Sequence, residues 1–235
     1  MWTLAVGLAR VALVPFARLR VSGDVPDALR DGPLILAANH ISPVDPVVLM
    51  AACHQRGLRP RFLADAGLFR LRTLGWLMRR TGHIPVARGT ATVTEALRLA
   101  TAAVKDGAVV LVYPEGRISL DPGLWPEKGK TGTARLALAT GAVVVPVAQW
   151  GTHELVPWSA PKGAPRGLLR ALARRPLIRV HFGPPLRATG PAREATEQII
   201  AAITRELEPL RADEPDLPRH TDPTRPVTTA RSRPR

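Results

Sequence analysis

Three stretches of this chain, from Pro33 to Ala38, Ala108 to Tyr113 and Val143 to Trp150, are nearly unbroken apolar runs of strand length. A strand with one wet face alternates apolar and polar residues. A strand buried on both faces has no need to. Each run is followed by a segment with helical character: 43–55, 131–140, and a basic Pro- and Gly-rich insert over 157–175 that holds a helical turn or two. Shorter strands are expected at 18–22, 61–64, 82–86 and 177–182, and further helices over 67–80, 90–105 and 191–211. Strand and helix thus alternate along the chain without an internal repeat. The expectation is one α/β domain, a mixed but mostly parallel central sheet flanked by helices on both faces.

The 235 residues suffice for one such domain with a tail to spare. The expected organisation is an N-terminal helix over 1–20, a domain over 21–211 and a disordered Pro- and Arg-rich tail over 212–235, where apolar residues are nearly absent. Within the domain, Pro146 interrupts an apolar run, which suggests an edge strand or a bulge. In the 67–80 helix, Leu71, Leu74 and Met78 fall on one side and are expected to meet the core. Phe69, Arg72, Trp76 and Arg79 share the other, either as a solvated basic face or as a surface at the depth of lipid headgroups.

The N-terminal helix either packs on the domain or lies on lipid. No stretch approaches the roughly 20 apolar residues of a membrane span, and Met1 to Ala9 lacks the basic start of a signal peptide. An intracellular protein is expected. The formal charge of +14 implies attraction to polyanions: nucleic acid, an anionic bilayer or phosphorylated substrates. The single cysteine, Cys53, excludes an internal disulfide and argues against cysteine-ligated zinc. It reads as a small hydrophobe on a helix face.

In a parallel sheet, the polar residues that follow the strands gather along the carboxyl edge, where such sheets bind ligands. After the first apolar run come Asn39, His40 and Asp45. After the 82–86 strand comes Arg88. After the next run come Tyr113, Pro114, Glu115, Gly116 and Arg117, and Lys128 and Lys130 precede the helix at 131. Ser42 suits an N-cap, Pro43 the first helical position and Asp45 the first turn. Asp45 can then fold back toward His40, where a carboxylate on one imidazole nitrogen fixes the tautomer and leaves the other as a base. A lone His near an Asp is also common as a capping pair. No Gly-x-Ser-x-Gly elbow is present, and Cys53 lies inside a helix. A histidine base acting on a substrate hydroxyl needs no protein nucleophile, and the surrounding cations suit a phosphate.

Four blocks in order carry a resemblance: Asn39-His40-x4-Asp45, Ile84-Pro85-Val86-Ala87-Arg88, Tyr113-Pro114-Glu115-Gly116 and Val145-Pro146-Val147, with Lys130-Thr131-Gly132 between the last two. Over roughly residues 18 to 150 the chain resembles the glycerophospholipid acyltransferases, most closely bacterial 1-acyl-glycerol-3-phosphate acyltransferases. The resemblance implies transfer of a fatty acyl group from acyl-CoA or acyl-carrier protein to the hydroxyl of lysophosphatidate, giving phosphatidate. It makes His40 the base, Asp45 its orienting partner and Arg88 the phosphate ligand. It assigns the glycerol portion to Glu115 and Gly116. It implies no cofactor or metal, and a peripheral place at the cytoplasmic face of the membrane. Two positions depart from the pattern: Ile118 stands where the family has Arg, with Arg117 or Lys130 as replacement charges, and Ala87 stands where Asp is frequent. The acceptor could then be another lysophospholipid or lipid hydroxyl. A non-enzymatic basic protein that binds membranes or nucleic acid is the rival from another class, and a metal-dependent hydrolase a third reading; no nucleic-acid partner is expected.

Overall fold

The computed structural model describes residues 7, 13–30, 32–87, 90–158, 164–214 and 225. Its strands are β1 (Arg18–Gly23), β2 (Leu34–Ala38), β3 (Arg61–Asp65), β4 (Ile84–Val86), β5 (Val109–Val112), β6 (Val143–Trp150) and β7 (Leu177–Phe182). They form one sheet in the order β1-β7-β6-β2-β5-β3-β4. All neighbours are parallel except β6 and β7. Besides a single turn at Asp27–Arg30, the helices are α1 (Asp45–Gln55), α2 (Arg72–Arg80), α3 (Thr90–Lys105), α4 (Gly132–Thr140), α5 (Ala164–Arg174) and α6 (Ala192–Leu210).

The three apolar runs are the sheet's centre. Every residue of β2, β5 and β6 is buried. One core, including Leu36, Leu49 and Leu111, fills one face under α1, and another, including Ile35, Val110 and Ile199, fills the other under α3, α4 and α6. β7 instead alternates buried and half-buried residues toward the sheet margin. The α/β sheet expected from the sequence is therefore present.

Two local expectations are corrected, and a third is narrowed. The first concerns α1, which starts at Asp45 rather than Pro43. Ser42 to Asp45 is a turn, because the Asp45 carboxylate reaches back to the N–H groups of Ile41 and Ser42. The second concerns the 67–80 segment, which is broken: a 3₁₀ turn (Leu68–Arg70) and an extended Leu71 precede α2. The turn folds tightly onto Gly75, where an added Cβ would stand 2.1 Å from the Phe69 carbonyl oxygen. Gly75 and Met78 consequently face inward, while Leu71 and Leu74 are exposed. The third concerns Pro146, which sits in a central strand beside a bulge, the second of the two settings expected for it. Gly183 to Pro185 bulge opposite it, between the Val144–Leu186 bridge and the Val147–Phe182 pair, so no ladder bond requires the missing proline N–H.

The expected N-terminal helix lies largely outside the described residues; Arg18 and Leu19 belong to β1. No helix among the described residues is long and apolar enough to cross a membrane. Most of the tail also lies outside them, but Asp213 pairs with Arg179, Glu214 pairs with Arg211, and Arg225 is buried.

Candidate active site

Parallel pairing of β6, β2, β5, β3 and β4 brings their carboxyl ends to one edge. His40 leaves β2 there, beside the loop that leaves β5. The His40 Nδ1 lies 2.8 Å from Asp45 Oδ2, and that same oxygen accepts the N–H groups of Ile41 at 2.6 Å and Ser42 at 2.9 Å. Asp45 is fully buried, and its Oδ1 has no hydrogen-bond partner among the described residues. One carboxylate oxygen thus shapes the turn and sets the ring's tautomer, with the proton on Nδ1. The imidazole stays 15% exposed, and its Nε2 has no hydrogen-bond partner among the described residues. The pair is thus more than a helix cap.

The backbone of His40 is fixed as firmly as its ring. Its N–H donates to Glu115 Oε1 at 3.0 Å, and its carbonyl accepts from the Ser119 N–H at 2.7 Å. The other Glu115 oxygen accepts the Glu127 N–H at 2.9 Å. Glu115 is buried, and burial pushes its carboxyl up to about 8 against the pull of those two backbone bonds. Gly116 turns the chain at a φ of +68° with the Lys130 side chain against it: a Cβ there would meet Lys130 Nζ at 3.0 Å. Glu115 and Gly116 thus lie directly behind the His40 backbone; the resemblance assigns them to the acceptor's glycerol.

Tyr113 stacks on the His40 ring with centroids 4.1 Å apart and planes 16° from parallel. Its hydroxyl is buried without a partner among the described residues, and burial raises its pKa well above the ordinary value. Asn39 and Gln149 lock the ends of β2 and β6 together through three bonds of 2.7 to 3.0 Å. From the tail, the buried Arg225 guanidinium donates to the carbonyls of Ile41 and Ser119, clasping the two loops that carry the site.

The cations divide. Arg117 closes its guanidinium on the buried Glu127 carboxylate at 2.7 to 3.1 Å, so it is committed within the protein. Lys130 is exposed beside the Pro-Glu-Gly turn, its own N–H bonded to the Pro114 carbonyl at 2.8 Å. Arg88 lies outside the described residues. The strand that leads to it, β4, is three places from β2, roughly 14 Å along the sheet at the usual strand spacing. Among the described residues no group of three or more His, Cys, Asp or Glu could hold a metal ion.

The sequence reading gave no role to the stacking of Tyr113, the Asn39–Gln149 lock, Glu127 or Arg225. Tyr113 and Asn39 stood inside its motifs. Arg225 gave no signal, because a basic residue in a Pro-rich tail has no local partner.

A buried Asp and a partly exposed His thus lie together at the carboxyl edge of a parallel α/β sheet. Residues 18–150 match the family model described as Acyltransferase, and the chain belongs to that family. It is 28% identical over 172 residues to a chloroplastic 1-acyl-sn-glycerol-3-phosphate acyltransferase of Brassica napus, covering 72% of this chain and 48% of that protein. A chloroplastic protein of the same description from Arabidopsis thaliana is 27% identical over 172 residues, covering 72% of this chain and 46% of that protein. The chain spans about half the length of these curated relatives. The crystal structure of the 1-acyl-sn-glycerophosphate acyltransferase of Thermotoga maritima has the same fold, with a TM-score of 0.70 at 21% identity, covering 90% of this chain and 80% of that one.

Proposed function

We propose that this protein transfers a fatty acyl group from an acyl thioester, acyl-CoA or acyl-carrier protein, to the free hydroxyl of 1-acyl-glycerol-3-phosphate. The observation that carries this reading is the His40–Asp45 pair, buried on the Asp side and open at Nε2. Nε2 takes the hydroxyl proton as the oxygen attacks the thioester carbonyl. Asp45 stabilises the imidazolium that forms. The tetrahedral intermediate expels the thiolate, which takes the proton from His40 and leaves as thiol, and the new ester remains on the glycerol. No protein nucleophile takes part. The one cysteine, Cys53, is fully buried and burial raises its thiol pKa, which suits packing and not attack.

Lys130 and Arg88 hold the acceptor phosphate in this reading, in place of the committed Arg117. The acceptor reaches the enzyme from a bilayer at the cytoplasmic face of the membrane. The basic charge and the exposed Trp76 of α2, with Arg80 5.9 Å over its ring, support such contact.

The test is acyl-CoA turnover, followed by thiol release and product mass, for the wild type and His40→Ala on a panel of acceptors. The expected result is phosphatidate from lysophosphatidate and a loss of at least about a hundredfold in the variant. Turnover of His40→Ala at the wild-type level would remove His40 as the base. Preference for another lysolipid would keep the chemistry and change the acceptor.

A further inference from the structure

Helix α5 has three faces. The inner face is made of small residues. Ala171 is 1% exposed, and a Cβ on Gly167 would stand 2.5 Å from the Leu155 carbonyl oxygen. The helix is thereby seated closely on the body. The outer face carries Leu168, Leu169 and Leu172, which are 36, 68 and 52% exposed. At about 100° per residue these three fall within one arc, together with the exposed Pro165 and Ala173. Beside that arc, Arg166, Arg170 and Arg174 form a second exposed row at helical spacing.

The apolar surface continues beyond the helix. Arg175 donates to the Val14 carbonyl at 2.8 Å, and Arg18 donates to the Arg175 carbonyl at 3.2 Å. These bonds hold Val14, 61% exposed, beside the end of α5. Charged helices of soluble proteins do not ordinarily turn three adjacent leucines to water.

We propose that α5 is a docking surface for an anionic bilayer. Its apolar arc enters the boundary between headgroups and acyl chains, while its arginine row meets lipid phosphates. Its 11 residues span about 16 Å, a length for lying on a membrane and not for crossing one. Charge argues for this occupant over a second copy of the chain, since a symmetric pair would bring two arginine rows together. The helix is also tied to the site. Leu155, against which Gly167 packs, precedes Val156, whose carbonyl accepts the Ser42 hydroxyl at 2.6 Å in the turn that follows His40. A bilayer seated on α5 therefore stands at a fixed position relative to the base. The inference deepens the reading of an acceptor drawn from a membrane, but it concerns binding and is measured without turnover.

The experiment is co-sedimentation of the full chain with vesicles of phosphatidylcholine alone or containing 30% phosphatidylglycerol. Leu169→Gln/Leu172→Gln is expected to weaken partitioning onto the anionic vesicles by roughly tenfold or more. Arg166→Gln/Arg170→Gln is expected to weaken it by roughly tenfold at low salt, with little further effect in 0.5 M salt, where charge is screened. All four positions are exposed, so both variants should melt at the wild-type temperature. Undiminished partitioning of the leucine variant overturns the proposal. So does a wild-type dimer, seen by sedimentation velocity, that the leucine variant abolishes. Weaker vesicle binding in a protein that acylates none of the acceptors tested would sustain this docking surface while overturning the catalytic reading.

Discussion

Replacing Asp45 by Asn separates its two tasks. In the wild type a single oxygen accepts three donors, from His40, Ile41 and Ser42, inside a fully buried setting. An asparagine can put its carbonyl oxygen at that place and keep the turn. Its amide then occupies the position of Oδ1, which has no partner among the described residues. The cost is about 1–3 kcal/mol for the buried unpaired amide, plus the loss of charge assistance in the three bonds, about 1 kcal/mol each. Thermal and urea denaturation should therefore show a loss of about 4–6 kcal/mol. Catalysis should suffer separately, because a neutral amide no longer stabilises the imidazolium. The same exchange in Ser-His-Asp triads costs about 10⁴ in kcat, and general-base assistance in general about 10²–10⁴. The assay is thiol release with saturating acyl-CoA and lysophosphatidate, at a temperature where the variant is folded. Full stability loss with kcat within about tenfold of the wild type would refute the argument and leave Asp45 as a clamp for the turn.

Three further expectations follow from individual residues. Glu115 is raised to about 8 in the folded protein, so the folded state holds a proton that the unfolded chain, with an ordinary carboxyl near 4.5, releases. Its contribution is complete below about pH 4.5 and lost as pH rises through 8, on the order of 4–5 kcal/mol in all; Glu115→Gln should flatten that fall in melting temperature, and an unchanged slope would sink the assignment. Arg211 is fully buried, with its guanidinium carbon 4.0 and 4.1 Å from the ring centroids of Trp125 and Trp150 and a hydrogen bond to the Gly123 carbonyl. Lys cannot stack as a plane, so Arg211→Lys should lose about 2–4 kcal/mol and shift tryptophan emission, while equal stability would show the charge alone to matter. Cys53→Ala should keep wild-type turnover, because the thiol is buried in the core; loss of activity in a stably folded variant would reopen covalent catalysis.

The sheet was legible because burial on both faces leaves uninterrupted apolar runs, and β2, β5 and β6 are those runs. Pairing order was not legible, since nothing local tells Val143–Trp150 to lie beside Leu34–Ala38 and not at an edge. Pro146 left an edge and a bulge both open for that reason: its tolerance depends on Gly183, Pro184 and Pro185, far along the chain. The break at Leu71 turned on the packing of Gly75 against Phe69, which helical periodicity does not report. At the site, residue types pointed to His40 and Asp45 because their spacing permits contact within one turn. The contacts of Glu115 and Arg117 within the protein were not legible, because a carboxylate bound to backbone N–H groups and one facing a ligand look alike in sequence. Only the positions of Glu127 and the His40 amide distinguish them.

The antiparallel seam between β6 and β7 joins two parallel, hydrogen-bonded blocks of the sheet. Five parallel strands, from β6 across to β4, form an unbroken ladder that ends in the His40 edge, while β1 and β7 join it only through the four pairs from Val147 to Trp150. The family match stops at residue 150, where that ladder's last strand ends. Helix α5 comes next, on the connection between the two blocks. The proposed base and the proposed docking helix thus fall in consecutive stretches of the chain. Substitutions, or even a change of length, in that crossing are expected to alter binding to vesicles while the strands that carry His40 keep their register.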